Sequence, residues 1–223
     1  MEFNNIVVGD FMSAIRAARM PFKSFDKIDS HYIVHNPQYR ELANVNIGDN
    51  DMKLLQNLLK AGDSDAKFMR SIDVSVEITA PVYILSEIDT YKVATVRNSS
   101  SLQHIGSKRD YMKNDFSFDE KPDNWDKEDW KMSEQYIYYM LETVNYFRKR
   151  YKETNDYSYF RAMRQAIPMS FNYTIAWHSN YAVLRNIWKQ RIKHPHRLKE
   201  WTEDFAGFID KLPYSEELIK YEG

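Results

Sequence analysis

The sequence predicts an α+β fold in which helices dominate, and three observations carry that expectation. Gly and Pro number only 6 and 7 in 223 residues, well below the roughly 7% and 5% of average usage, which disfavours a turn-rich sandwich or barrel. Apolar residues make up 43% and aromatics 15% of the chain, enough to build a core. One segment, residues 71–79, alternates strictly: Ile72, Val74, Val76 and Ile78 share one face, and Asp73, Ser75, Glu77 and Thr79 the other. The polar face of that strand is expected to be wet or to meet a polar partner. The length suits one domain or a compact pair.

The elements follow in chain order. Residues 10–20 read as a short amphipathic helix on Phe11, Ala14, Ile15 and Ala18, with Asp10 as cap and Pro21 as stop. Residues 24–48 read as irregular. A second helix covers 51–60, where Met52, Leu55, Leu58 and Leu59 form its stripe and Gly62 closes it. After the strand, Pro81 is expected at the first position of a helix over 82–88. Residues 89–104 are polar and hydroxyl-rich, an ordinary loop or a binding loop. A long helix spans 128–153, with Tyr136, Tyr139, Tyr146 and Phe147 near helical spacing; this face is expected to pack on the core, with a second subunit or a ligand as the alternatives. Another helix covers 157–166 before Pro168, and 169–177 reads as extended. Ser179 or Asn180 then caps a helix that runs to about 193, before Pro195. A last amphipathic helix is expected over 198–212, and there is no internal repeat.

Charge and composition exclude several functions. Lys and Arg total 31 and Asp and Glu 32, a formal net charge of −1, and no basic stripe or recognised motif points to nucleic acid. With no cysteine there are no disulfides, thiolate metal sites or cysteine nucleophiles, as suits a reducing, cytoplasmic setting. No apolar run approaches the ~18 residues of a membrane span, and the first residues lack a signal-peptide pattern. The glycine-rich dinucleotide, P-loop and nucleophile-elbow motifs are absent. His194-Pro195-His196 has the wrong spacing for a metal pair, so no metal is expected. Arg164 and Arg191 remain as candidates for anion or carbonyl recognition. Arg191 continues the Leu184, Ile187, Trp188 stripe, where a charge needs a partner, and a guanidinium fork suits phosphate or a pyrimidine carbonyl. A salt bridge to a carboxylate is the alternative.

Taken together, the segments resemble the flavin-dependent thymidylate synthases, also called the thymidylate synthase complementing protein family. Ser13-Ala14-Ile15-Arg16-Ala17-Ala18-Arg19-Met20-Pro21-Phe22 is similar to the family's AxRAARxSF helix, with Pro21 in place of the serine. The family signature RHRxxSxNxxSxR falls on Thr90-Tyr91-Lys92, Thr95, Arg97, Ser100 and Leu102, so one position is retained outright and two by chemical kind. Met163-Arg164-Gln165-Ala166-Ile167-Pro168 resembles ARxxLP, and Trp177, Asn180, Asn186 and Arg191 match the spaced positions that follow it.

The resemblance implies a single domain over 1–223 with a curved, mostly antiparallel central sheet flanked by helices, assembled as a homotetramer with active sites built from several subunits. It implies FAD as redox cofactor, NADPH as reductant, and methylenetetrahydrofolate as donor of one carbon to C5 of dUMP or a related pyrimidine nucleotide. It places Arg164 and Arg191 on the nucleotide, Arg191 polarising the uracil, with Ser99, Ser100 and Ser101 at the phosphate. Asn186 would meet the flavin, with Tyr91, Lys92, Thr95 and Arg97 as cofactor contacts. Two rival readings are a pyrimidine-nucleotide-binding protein that has lost the flavin, and a structural or interaction protein using the tyrosine-rich helix.

Overall fold

The computed structural model describes residues 1–33, 45–101 and 108–222. The fold is mixed, an antiparallel sheet flanked by helices. Strands β1 (Glu2–Val8), β4 (Asp73–Pro81), β5 (Val96–Ser99) and β6 (Asn172–Asn180) form a sheet of order β1-β4-β6-β5, while β2 (His31–Tyr32) and β3 (Val45–Asn46) pair antiparallel by themselves. The chain divides into two compact units, one of residues 1–78, 89–98 and 176–223, the other of 79–88 and 99–175.

In the first unit, helix α1 (Phe11–Arg19) starts where Asp10 accepts a hydrogen bond from Ser13 N (3.1 Å). It buries Phe11, Ala14, Ile15 and Arg19. The Arg19 guanidinium meets a fully buried carboxylate, Asp51, on helix α2 (Asp49–Ala61), with Nε to Oδ1 at 2.6 Å. Gly62 ends α2 at φ 114°, a left-handed conformation natural to glycine. The alternation read from residues 71–79 holds on β4: Val74, Val76 and Ile78 are buried, and Asp73, Ser75 and Glu77 are exposed. Asn180 caps helix α6 (Tyr181–Arg191) by accepting from Val183 N (3.1 Å); α4 and α5, described next, precede it in the chain.

In the second unit, α3 (Val82–Ile88) follows β4 directly, so Pro81 closes the strand rather than opening the helix. The long helix α4 (Lys127–Thr154) is capped by Asp126, which accepts from Glu128 N and Asp129 N, and Asn155 ends it at φ 54°. Helix α5 (Tyr157–Ala166) packs against α4. The core here joins Tyr111, Phe116, Met140, Val144, Phe160, Met163 and Phe171.

Four further expectations are corrected. The buried face of α4 is Ile137, Met140, Val144 and Arg148, whereas Tyr136, Tyr139 and Tyr146 are exposed and only Phe147 packs inward. The aliphatic residues at 3–4 spacing define the apolar stripe, and the amphipathic tyrosines lie beside it. Residues 96–99, read as loop, form an edge strand. Residues 2–8, for which no element was expected, form the other edge, held by Phe3 stacked on Phe208 (4.3 Å). The expected last helix is instead a π-helical turn, Glu200–Phe205, running into a short helix α7 (Ala206–Ile209), with a second π turn at Ser215–Ile219. The wider winding lets Trp201, Phe205, Phe208 and Ile209 all face inward.

Candidate functional site

A cavity of about 260 Å³ lies in the first unit. One side is the turn after α2, with Asp63, Ala66, Met69 and Arg70; another is the loop Thr90, Tyr91, Lys92 and Val93; the third is α6, through Ala182, Val183, Arg185, Asn186 and Lys189. Four cations, Arg70, Lys92, Arg185 and Lys189, thus face one carboxylate, Asp63. Ala66, Met69 and Val183 give it an apolar part, and Asn186 and Thr90 supply neutral polar groups.

The loop's conformation is fixed by its own sequence. Thr95 Oγ1 donates to Tyr91 O (3.0 Å), closing a turn in which Ala94 takes φ 55°. The Tyr91 ring is buried, and its hydroxyl donates to Gln190 Oε1 (3.0 Å) and accepts from Arg191 Nε (2.9 Å). Asn180, the α6 cap, reaches back with Nδ2 to Val93 O (3.4 Å). Loop and helix are therefore tied at both ends of the cavity wall.

Arg191 itself lies over two aromatic rings, 5.7 Å from the Tyr91 centroid and 5.5 Å from that of Trp201. Cation–π contact and the Tyr91 hydroxyl help to make a half-buried guanidinium tolerable in an apolar stripe. Arg185 is buried, and its Nη1 donates to the carbonyls of Leu218 and Ile219 (3.0 Å each). Burial pulls its pKa down from the ordinary arginine value, opposed by the charges of Asp63 and Glu222.

The residues singled out from the sequence fall into two groups. Tyr91, Lys92 and Asn186 line the cavity together, and Arg191 and Thr95 are bonded to Tyr91. Arg97 is on β5 and ion-paired with Asp89. In the second unit, Ser99, Ser100 and Ser101 are exposed, and Ser100 is committed to Thr174: its N–H donates to Thr174 O (2.9 Å) and its Oγ accepts from Thr174 N (3.3 Å). Arg164 is exposed in the last turn of α5, 5.9 Å from the Phe160 centroid. Leu102, the last signature position, lies outside the described residues.

Sequence reading missed Arg70, Arg185 and Lys189. Arg185 and Lys189 carried a signal, because they stand at i and i+4 on a helix without a single acidic residue. Arg70 carried none, since only tertiary folding brings its turn to the cavity. His194 and His196 sit in an exposed turn where His196 N donates to His194 Nδ1 (3.3 Å). Among the described residues no cluster of three His, Asp or Glu could hold a metal ion, and no helix is long and apolar enough to cross a membrane.

No family profile matches the sequence, and no curated relative is detectably similar to it. Solved structures do share its fold. Thymidylate synthase X from Helicobacter pylori, crystallised with FAD and dUMP, superposes with a TM-score of 0.66 at 15% identity, covering 98% of this chain and 97% of its own. A second structure of that flavin-dependent synthase, also with FAD and dUMP, gives 0.64 at 15% identity, over 98% of each chain. The UMP/dUMP methylase PolB from Streptomyces cacaoi, bound with 5-Br dUMP, gives 0.62 at 13% identity, over 98% of this chain and 95% of its own.

Proposed function

We propose that this chain is a divergent flavin-dependent thymidylate synthase, transferring a one-carbon unit from methylenetetrahydrofolate to C5 of dUMP or a related pyrimidine nucleotide, with FAD as redox cofactor and NADPH as reductant. The observation that carries the reading is the convergence of Tyr91, Lys92 and Asn186, three positions picked by the family resemblance, on one cation-rich cavity. The shared fold of synthase and methylase over nearly the whole chain supports it. A homotetrameric, cytoplasmic enzyme is part of the proposal.

The donor set fits the cofactor. Lys92 would hold phosphate oxygens as a point charge, Asn186 offers an amide that both donates and accepts, and the apolar wall suits a ring system. When bound, FAD supplies the hydride chemistry. The protein has no cysteine to attack the uracil, so its own residues bind and polarise. Arg191, oriented by Tyr91 and held over Trp201, would meet the pyrimidine and favour negative charge on the ring. On the second unit, Arg164 and the hydroxyls of Ser99, Ser100 and Ser101 would meet a nucleotide phosphate.

An absorption spectrum of the purified protein, before and after adding FAD and with dUMP in a parallel sample, tests the reading. The expected result is a visible flavin band that survives gel filtration, followed by dUMP-dependent turnover. A protein that stays colourless at high FAD overturns it. A second reading, a pyrimidine-nucleotide-binding protein without flavin, draws on Tyr91, whose buried ring and doubly bonded hydroxyl stand in the middle of the family's RHR cluster. A colourless protein whose melting temperature rises with dUMP selects that reading.

A further inference from the structure

The cavity holds more positive charge than the family resemblance assigns to it. Of its four cations only Lys92 stands at a position that the resemblance assigns to a ligand. Arg70 comes from the short turn Ala66–Ser71, whose buried residues are Ala66, Phe68 and Met69, so its own side chain is left outward at the cavity wall. Lys189 lies one helical turn beyond Arg185, and that like-charged pair is unfavourable for the helix itself. Neither Arg70 nor Lys92 forms an ion pair with any described residue; Asp63 is the carboxylate among the lining residues, and the charge of Glu222 reaches Arg185 and Lys189 from outside it. Other cations of this unit sit beside carboxylates: Arg97 pairs with Asp89, Lys193 with Glu222, and Lys220 with Asp210 and Glu216. Uncompensated charge gathered in a concave wall raises the local potential for an anion.

We infer that Arg70 and Lys189, with Lys92, form the phosphate seat of this cavity, and that Arg70 is the binding residue replacing the cationic contacts missing from Thr90 and Tyr91. The inference deepens the proposed function and rests on it for the identity of the nucleotide. The cavity's 260 Å³ lies below the roughly 300–1,000 Å³ of pockets that enclose a whole small ligand. It therefore takes the phosphate-bearing part of one. The chemistry is a phosphate ester beside an apolar group, supplied either by the diphosphate bridge of FAD or by the monophosphate of a pyrimidine nucleotide.

Calorimetric titration of FAD, dUMP and inorganic pyrophosphate into the wild-type protein and into Arg70→Gln, Lys189→Gln and Lys53→Gln separates the possibilities. Lys53 is an exposed lysine of α2 outside the cavity, so its variant reproduces the change in net charge alone. Arg70→Gln and Lys189→Gln are expected to weaken the bound nucleotide about tenfold or more each, as for loss of a charge-assisted contact, with Lys53→Gln unchanged and Arg70→Lys partly restored. A loss confined to FAD identifies the diphosphate, and one confined to dUMP the monophosphate. Nucleotide binding that is equal in all variants overturns the seat and leaves the proposed function standing. Arg70-dependent binding of pyrophosphate without FAD or dUMP overturns the proposed function and leaves the seat. No binding of any of the three overturns both.

Discussion

Asp51 has no water to turn to. Its carboxylate is fully buried and accepts from Arg19 Nε, Ser30 N (3.0 Å), Ser30 Oγ (2.6 Å) and Asp29 N (3.1 Å). Such a pair contributes little over a well-packed apolar substitute, but removing one member strands the other charge. Asp51→Ala should therefore cost about 3–5 kcal/mol, measured by urea unfolding. The second arginine of the AxRAAR-like helix is thus structural in this chain, which the motif alone did not reveal. A second residue-scale effect concerns acid. The Arg109 guanidinium, with Nη1 to Asp115 Oδ2 at 2.7 Å, and the Met112 N–H hold the Asp115 pKa below its ordinary value against the opposing effect of burial. With the folded value depressed, the stabilisation is complete above the unfolded aspartate pKa of about 3.9 and is lost as pH falls through the folded value. Melting temperatures of wild type and Asp115→Asn should differ at pH 6 and converge as the pH drops below about 4.

At the scale of elements, α6 carries both stability and site. Asn180 caps it and also holds Val93 O of the cavity loop. Asn180→Ala should cost about 1 kcal/mol from the cap, read from the denaturation midpoint, and should raise amide exchange across residues 91–95. This helix was legible because its apolar residues, cap and stop all agree. β4 was legible because one face is buried and the other wet. The edge strands were not: β1 contains Asn4 and Asn5, the latter at φ 51°, and β5 is four residues of mixed polarity. Pairing with a neighbour, rather than local propensity, makes them strands. On α4 the aromatic spacing obscured the narrower aliphatic stripe. Its exposed tyrosines, Tyr139 65% accessible among them, leave a surface available to a partner. Tyr136→Ser with Tyr139→Ser should then leave the melting temperature within about 1 °C while shifting any self-association, since exposed substitutions rarely move stability by more than ~0.5 kcal/mol. Sedimentation velocity reads the second effect.

For the molecule as a whole, ligand linkage gives the broadest test. A nucleotide that binds only the folded chain stabilises it by RT ln(1 + [L]/Kd), about 2.7 kcal/mol at a hundredfold excess over Kd. FAD and dUMP should each raise the thermal midpoint, and additive shifts would indicate separate sites. The site was half legible for a related reason. Tyr91, Lys92, Asn186 and Arg191 lie in segments whose order in the chain could be aligned by eye, whereas Arg70 is brought to them by the packing of its turn on α1 and α6. Sequence order records the first kind of neighbour and not the second. One feature of the chain path bears on how this arrangement can change. β6 passes into α6 at Asn180 and Tyr181, and β4 into α3 at Pro81 and Val82, with no residue between. A single inserted residue at 180/181 would turn α6 by about 100° about its axis, carrying Asn186 and Lys189 away from the cavity while leaving composition and helix length intact. Insertions and deletions should therefore be tolerated far less at these two junctions than substitutions are, a bias visible in a library screened for folding and nucleotide binding together.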